Sequence, residues 1–350
     1  MTMEAAGYGD FAERQKAARA EGRYLGIGIS FGVKGTGRGP FETAIVRIGT
    51  SGKISVYTGA AAMGQSTHTM MAQVVAEQLG GDMENVDVIA GDTQQIPMGM
   101  GGFGSRQAIT AGSSGHIAAV EVRKKALKVA AHLLEASEED LEIDGKDIRV
   151  KGVPDMSVSL GQVAHAVAGT PGYALPGGIT PGMESTQNFL TDPLAYCYGA
   201  HICEVEADPE TGGVKILKYT ITHDSGTLIN PMIVTGQVTG GVAHGIGNAI
   251  FEWMGYDDDA NPVTTNFGEY LLPSAPEIPN FDIEFLESPS PLNPLGVKGA
   301  GEGSTVPAAA AVISAIEDAL SPFNAHIAEA PVTPARLVQL VKEGQAGKAA

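Results

Sequence analysis

The segment AYCYGAHICEVEADPETGGVKILKYTIT, residues 195–222, determines the fold class. Residues 195–205 and 214–222 alternate apolar and polar side chains, as β-strands with one buried face do. Asp208–Gly213 lies between them and is a strong turn signal, so we predict a hairpin. Further strand signals and helical spacings occur at 24–33, 43–48, 54–57, 67–79, 112–136, 234–254 and 304–320. Because strands and helices mix without a regular βαβ rhythm, we predict an α+β fold of two mixed-sheet subdomains with long packed helices.

The chain has 350 residues, a length that favours about two domains. We predict a helical N-terminal extension over 1–22, a first subdomain over 23–155, a second over 156–340 and a flexible tail over 341–350. A proline- and glycine-rich stretch, GTPGYALPGGITPG at 169–182, is typical of a connector or an exposed loop.

Composition and charge exclude several classes of protein. The net charge is −18, which repels phosphate backbones and argues against nucleic-acid binding. No apolar run approaches the roughly 20 residues of a membrane span, and residues 1–20 lack the apolar core of a secretory signal. Two cysteines form neither a disulfide framework nor a CxxC metal site. We therefore expect a cytoplasmic protein.

Two familiar motifs match the sequence but lack the surrounding structure they need, and a zinc motif is missing. Gly28–Gly32 matches the nucleophile elbow G-x-S-x-G, but the glycine-rich residues that follow cannot form the required helix. Gly99–Gly104 matches G-x-G-x-x-G, yet it opens no helix at once and lies in no βαβ unit. The eight histidines show no metal-ligand spacing, so a zinc site is not expected.

Glycine is unusually frequent, with 47 residues, and it clusters around polar segments. In Gly64–His68, Gln65 is placed to offer its amide to a ligand, although a plain helix cap by the following serine or threonine explains it too. In the segment 102–115, Arg106 and the serines of a helix start suit a phosphate. A serine cap beside a solvated arginine is the alternative there.

Two later segments carry similar ambiguity. Glycines within the helix at 236–247 each cost about 1 kcal/mol relative to alanine, which indicates a large object, or another helix, packed against the backbone. In the loop 296–305, Glu302 precedes an apolar helix. It is either an acid that stabilises the helix dipole or an enclosed carboxylate whose raised pKa suits proton abstraction.

Taken in order, the four segments resemble the second half of the molybdenum-cofactor subunit of the molybdenum hydroxylases, the family of xanthine dehydrogenase, aldehyde oxidase and carbon monoxide dehydrogenase. The matching motifs are G-Q-x-x-H at 64–68, G-[TG]-[YF]-G-S-R at 101–106, D-x-G-x-x-[IL]-N-P with G-Q-x-x-G-G at 224–241, and G-x-K-G-x-G-E at 296–302. The similarity runs from about residue 23 to residue 337.

The resemblance implies a bound molybdopterin, in bacterial members often the cytosine dinucleotide, with molybdenum held by the pterin dithiolene and by no protein ligand. It implies that Glu302 is the general base of a water-derived hydroxylation. It assigns cofactor contacts to Gln65, Gly102, Ser105, Arg106, Thr110, Ser113, Gln237, His244, Lys298 and Gly299.

Most family members carry a first cofactor domain ahead of this region on the same chain. The resemblance therefore implies a split subunit, with partners that supply the first half, a [2Fe–2S] cluster and FAD, and with a small N-heterocycle or aldehyde as substrate. A carbon monoxide dehydrogenase-like or thioester-reducing enzyme remains an alternative, as does a cofactor-binding scaffold without chemistry of its own.

Overall fold

The computed structural model describes residues 1–169, 171–172, 174–175 and 178–349. Four residues of the predicted connector at 169–182, and Ala350, lie outside these ranges. The helices are α1 (Thr2–Ala6), α2 (Phe11–Ala20), α3 (Thr67–Gln78), α4 (Gln107–Leu134), α5 (Leu160–Ala166), α6 (Pro231–Ile250), α7 (Thr305–Ala319) and α8 (Pro334–Ala349). Within the described ranges, none of them combines the length and apolar character needed to cross a bilayer.

The strands are β1 (Tyr24–Thr36), β2 (Phe41–Ile48), β3 (Ile54–Thr58), β4 (Val86–Ala90), β5 (Leu141–Asp144), β6 (Asp147–Val150), β7 (Val153–Ser159), β8 (Glu184–Leu190), β9 (Ala195–Ala207), β10 (Val214–Asp224) and β11 (Phe281–Phe285). They form sheets of order β1-β9-β10-β11, β4-β3-β2-β8 and β5-β6-β7. The pairs β10/β11 and β3/β4 are parallel and the others antiparallel, so the first two sheets are mixed and the β5-β6-β7 sheet is antiparallel. The predicted α+β class is confirmed.

The predicted subdomain boundary at residue 155 differs from the strand pairing. It would cut β7, which pairs with β6. Instead, β1 pairs with β9 along its whole length, from Tyr24 opposite Ala207 to Thr36 opposite Ala195. The segment from β2 to β8 has its own core and is inserted between these two strands, because β2 pairs with β8. A second core forms where α6, α7 and α8 pack on the β1–β9–β10 sheet. Because α8 runs from Pro334 to Ala349, it occupies most of the segment 341–350 that is predicted to be a flexible tail.

Glycines of β1 explain how α7 comes to lie directly on the sheet. A Cβ built on Gly28 would overlap the carbonyl oxygen of Ala311, and one on Gly26 would overlap that of Ala315. Gly32 likewise faces the ring of Pro307 in the first turn of α7. The glycines of the G-x-S-x-G motif therefore lie in a β-strand, where the absence of side chains lets the backbone of α7 pack directly on the sheet.

We expect Gly28→Ala to destabilise the protein by about 1–3 kcal/mol, because the new methyl group must push α7 away from the sheet. Thermal unfolding followed by circular dichroism measures the effect. Gly240→Ala on α6 is the matched control, because a Cβ there meets nothing within 4 Å and alanine favours a helix. Equal melting temperatures for the two variants would contradict the close packing of α7.

Candidate functional site

A cleft of about 660 Å³ lies where four helices begin. Its walls come from the loops that lead into α3, α4 and α7 and from the first turns of α6. Because the N-terminus of a helix carries partial positive charge and free N–H groups, this convergence favours a ligand with anionic oxygens.

Three of these helices begin without a side-chain cap. Ser66, Arg106 and Ser304 occupy the N-cap positions of α3, α4 and α7, and none of them accepts a hydrogen bond there with its side chain. Ser66 has φ 63° and Ser105, which lines the cleft, has φ 53°; both are left-handed conformations that cost energy outside glycine. Only α6 is capped, by Asn230, whose Oδ1 accepts from the N–H of Ile233.

Gln65 lies in the cleft wall, but its amide is engaged within the chain. Its Oε1 accepts from the N–H of Met63 at 2.7 Å, and its Nε2 donates to Oε1 of Gln107. Gln107 also accepts from Thr67 and donates to the carbonyl of Ala61. This network ties the start of α3 to the start of α4 and leaves Gln65 one N–H for a ligand.

The charge of Arg106, which the sequence pattern assigns to a phosphate, is paired within the chain. Its guanidinium is fully buried and pairs with the equally buried Glu42 at 2.9 Å. It also donates to the carbonyls of Arg38, Phe41 and Gly101. Arg106 therefore fixes the loop that borders the cleft, and it reaches the cleft wall only as part of that loop.

Thr110, Ser113 and His244 do not line the cleft. The helix predicted to begin near residue 112 begins at Gln107, so Ser113 lies in its second turn and caps nothing. Thr110 is buried and donates back to the carbonyl of Arg106. His244 is exposed on α6. The assignment of these three residues to the cofactor stays a prediction from the resemblance.

Two of the glycines of α6 permit close packing against α7. A Cβ on Gly245 would overlap that of Ala308, and one on Gly241 would lie 3.1 Å from Thr305 Oγ1. α6 thus lies tightly against α7, which places Gln237 beside the Glu302 loop: its Oε1 is 3.3 Å from where a Cβ of Gly301 would be. The amide of Gln237 makes no hydrogen bond with the described part of the chain, so it is available to a ligand in the cleft.

Gly102, Lys298 and Gly299 also line the cleft. Gly299 has no room for a side chain, because a Cβ would overlap the carbonyl oxygen of Ser105. Lys298 Nζ lies 2.9 Å from Oδ2 of the fully buried Asp224. Burial acts to raise the pKa of Asp224, but hydrogen bonds from Tyr198 and Lys298 lower it by more. The charge of Lys298 is therefore already balanced within the chain.

Glu302 stands at the cleft with its side chain half exposed, and one of its oxygens is held firmly. Lys34 Nζ lies 2.7 Å from Oε2, and Ser105 Oγ donates to the same Oε2 at 2.7 Å. Ser105 Oγ in turn accepts from the N–H of Glu302 at 3.0 Å. Burial acts to raise the pKa of Glu302, but the hydrogen bonds from Lys34 and Ser105 lower it overall, contrary to the raised pKa expected for an enclosed base. Oε1 has no partner among the described residues.

Four residues of the site escaped the sequence reasoning. Gln107 and Asn230 bind the helix starts together, and the buried Ser225 lines the cleft with a hydroxyl that has no partner among the described residues. Lys34 contacts Glu302 from a strand of another part of the chain. The available signal for Lys34 was its charge, because lysine is rare in this sequence and Lys34 directly follows the strand predicted at 24–33.

Comparison with known proteins agrees with this geometry. Residues 1–279 match the molybdopterin cofactor-binding domain family. The chain is 38% identical over 336 residues to the 6-hydroxypseudooxynicotine dehydrogenase complex subunit gamma of Paenarthrobacter nicotinovorans, covering 96% of this chain and 42% of that protein. It is 34% identical to the carbon monoxide dehydrogenase large chain of Afipia carboxidovorans, covering 93% of this chain and 42% of that one.

Solved structures give the same result. Quinoline 2-oxidoreductase from Pseudomonas putida 86 superposes with a TM-score of 0.87 at 36% identity, covering 98% of this chain and 45% of that one. Cu,Mo-CO dehydrogenase superposes with a TM-score of 0.88 at 32% identity, covering 98% and 45%. The chain thus spans less than half the length of these relatives, and it corresponds to their C-terminal half. With its glycine-bounded cleft and its matching domain, the chain belongs to the molybdenum hydroxylase family and carries that family's molybdopterin cofactor-binding domain.

Proposed function

We propose that this chain is the part of a multi-subunit molybdenum hydroxylase that holds the pterin cofactor and supplies the catalytic base. The observation that carries the proposal is the convergence of four helix starts on one cleft with Glu302 at its edge. The scaffold alternative accounts for the cleft but gives no reason for a carboxylate held there by two side chains.

The donor groups of the cleft suit a molybdopterin. The uncapped starts of α3, α4 and α7 offer backbone N–H groups to phosphate oxygens. The free amide of Gln237 and the unpartnered hydroxyl of Ser225 suit the polar edges of a pterin. The basic side chains of the cleft wall, Arg106 and Lys298, are both paired within the chain, so backbone N–H groups are the anion-binding elements. Three uncapped helix starts offer more such groups than a single phosphate uses, which favours the longer dinucleotide form with its pyrophosphate.

Glu302 performs the proton chemistry in this proposal. When bound, the molybdenum cofactor supplies the two-electron redox chemistry of the hydroxylation. Oε2 of Glu302 is fixed by Lys34 and Ser105, and Oε1 is free to accept the proton that the oxygen nucleophile must lose. The lowered pKa keeps the carboxylate ionised, and therefore able to accept a proton, throughout the neutral range.

The names of the relatives support an N-heterocycle as the substrate class. Those named as a nicotine 6-hydroxylase, at 39% identity, and a quinoline 2-oxidoreductase, at 36%, favour an N-heterocycle over the aldehyde alternative. The TM-score of 0.88 with Cu,Mo-CO dehydrogenase keeps carbon monoxide oxidation as the second candidate.

The proposed partners are a second chain that carries the first half of the cofactor subunit, a [2Fe–2S] subunit and an FAD subunit. The name of one relative, a complex subunit gamma, supports a multi-subunit assembly. The cytoplasmic location stays a prediction from the sequence.

The cofactor content of the co-purified complex tests the proposal. We expect stoichiometric molybdenum by elemental analysis, with iron and flavin in the same fraction. Acid hydrolysis releases CMP if the cofactor is the cytosine dinucleotide form, and it releases none if the cofactor is molybdopterin with a terminal phosphate only. A complex that contains iron and flavin but no molybdenum would contradict the proposal.

A further inference from the structure

The position of Lys34 in the sheet explains why it reaches Glu302. Lys34 lies two residues after Gly32 on β1, so both project from the same face of the strand. Gly32 contacts Pro307 in the first turn of α7, which places Lys34 beside the loop that precedes the helix. Its side chain is 20% exposed, whereas that of Glu302 is 50% exposed. The lysine is thus the more buried member of the pair.

Ser105 completes the hold on Glu302. Its hydroxyl contacts both Oε2 and the backbone N–H of Glu302, at 2.7 and 3.0 Å. The position of Ser105 is fixed by its left-handed backbone and by Gly299, which packs on its carbonyl. Lys34 and Ser105 therefore orient one oxygen from two sides and leave the other free.

Other ionisable groups near the Glu302 loop do not replace Lys34. His223 and Cys197 pack beneath Gly303, and burial lowers the pKa of His223 to about 4 and raises that of Cys197 to about 11. Both are therefore neutral between pH 5 and 9. Lys298 is paired with Asp224, and the more distant charge of Arg38 makes no ion pair with Glu302 among the described residues.

We propose that Lys34 is a positioning residue for the Glu302 base, which orients Oε2 and stabilises the ionised carboxylate so that Oε1 faces the reaction. This inference rests on the proposed function, because it assigns a role relative to that base. It predicts a defined pH dependence. Without Lys34 the pKa of Glu302 rises, so the acidic limb of the kcat/KM profile moves to higher pH, where the base is again deprotonated.

Two measurements test the proposal, and one needs no cofactor. In the first, the purified chain is acetylated with an N-hydroxysuccinimide ester and the Lys34 peptide is quantified by mass spectrometry. We expect Lys34 to react several-fold faster in Glu302→Gln than in the wild-type chain, because a neutral amide holds the ammonium group less tightly than the carboxylate does. Lys124, exposed on α4 and paired with Glu121, is the internal control whose rate stays constant.

In the second, pH profiles of the assembled holoenzyme are compared for Lys34→Met and Lys34→Arg. We expect the methionine variant to show the shifted acidic limb and a lower kcat with little change in KM, and the arginine variant to restore both. Lys124→Met should behave as wild type, and circular dichroism checks that each variant is folded.

The outcomes separate this proposal from the proposed function. Normal turnover in Glu302→Gln would overturn the base assignment and the role of Lys34 together. An inactive Glu302→Gln with unchanged Lys34 acetylation and an unshifted Lys34→Met profile would overturn the role of Lys34 alone. A Lys34→Met variant that raises KM, or loses molybdenum, without moving the profile would also overturn it, because Lys34 would then bind substrate or cofactor.

Discussion

Replacing Glu302 by glutamine should lower kcat of the assembled enzyme by about 10²–10⁴-fold, the usual contribution of a general base. Glutamine keeps the size of the side chain and can still accept from Ser105 and Lys34, so the loop before α7 should retain its place. It cannot take up a proton. Because the cofactor contacts proposed for the cleft come from other residues, molybdenum content should stay at the wild-type level.

Steady-state kinetics and elemental analysis on the same preparation check this expectation. Glu329→Gln is the matched control, since it removes the same charge from an exposed position beyond the far end of α7. Loss of turnover with loss of molybdenum would indicate a cofactor ligand instead of a base. Unchanged turnover would favour the scaffold alternative.

Replacing Arg106 by methionine should destabilise the chain by about 3–5 kcal/mol, because it leaves the carboxylate of Glu42 buried and unpaired. Both side chains are 0% exposed, so water cannot replace the lost partner. The carbonyls of Arg38, Phe41 and Gly101 lose their donor at the same time. Urea unfolding followed by fluorescence or circular dichroism gives the free energy of unfolding.

A surface ion pair provides the comparison. Arg47 pairs with Glu184 with both side chains about half exposed, and Arg47→Met should cost at most about 1 kcal/mol. The double variant Glu42→Leu with Arg106→Met should recover only part of the loss, because no charge is then buried alone but the backbone groups that both side chains bind stay unpaired. Equal free energies of unfolding for Arg106→Met and Arg47→Met would contradict the conclusion that the Arg106–Glu42 pair is buried.

Local patterns predicted the elements of the fold, but not their grouping. Alternation over 195–205 and 214–222 predicted β9 and β10; exposure alternates only over 195–199 and 214–218, and both faces are buried over 201–205 and 219–224. The boundary at residue 155 stays a prediction; it falls within β7, and the sequence pattern cannot reveal this because strand pairing is not a local property. Nothing in β1 alone indicates that its partner is β9, and only that pairing reveals the segment between them as an insertion.

The site was predicted best where glycine and polar residues flank a helix start. Gln65, Gly102, Ser105, Gln237, Lys298, Gly299 and Glu302 all line one cleft. The sequence could not predict the buried pair of Arg106 with Glu42, because a rare cation in a loop looks the same whether it faces a ligand or a carboxylate of the chain. Ser113 was misplaced with the helix boundary, and Lys34 was missed because its contact depends on how α7 crosses β1.

The insertion between β1 and β9 has a consequence for biosynthesis. About 160 residues separate Thr36 from its partner Ala195, so at translation rates of about 5–20 residues per second β1 leaves the ribosome roughly 10–30 s before β9 does. During that interval its apolar edge has no neighbour, while the inserted segment can already fold on its own core. The contact between Lys34 on β1 and Glu302 therefore forms late in synthesis, and rapid folding of the insertion would shorten the time for which the edge of β1 is exposed.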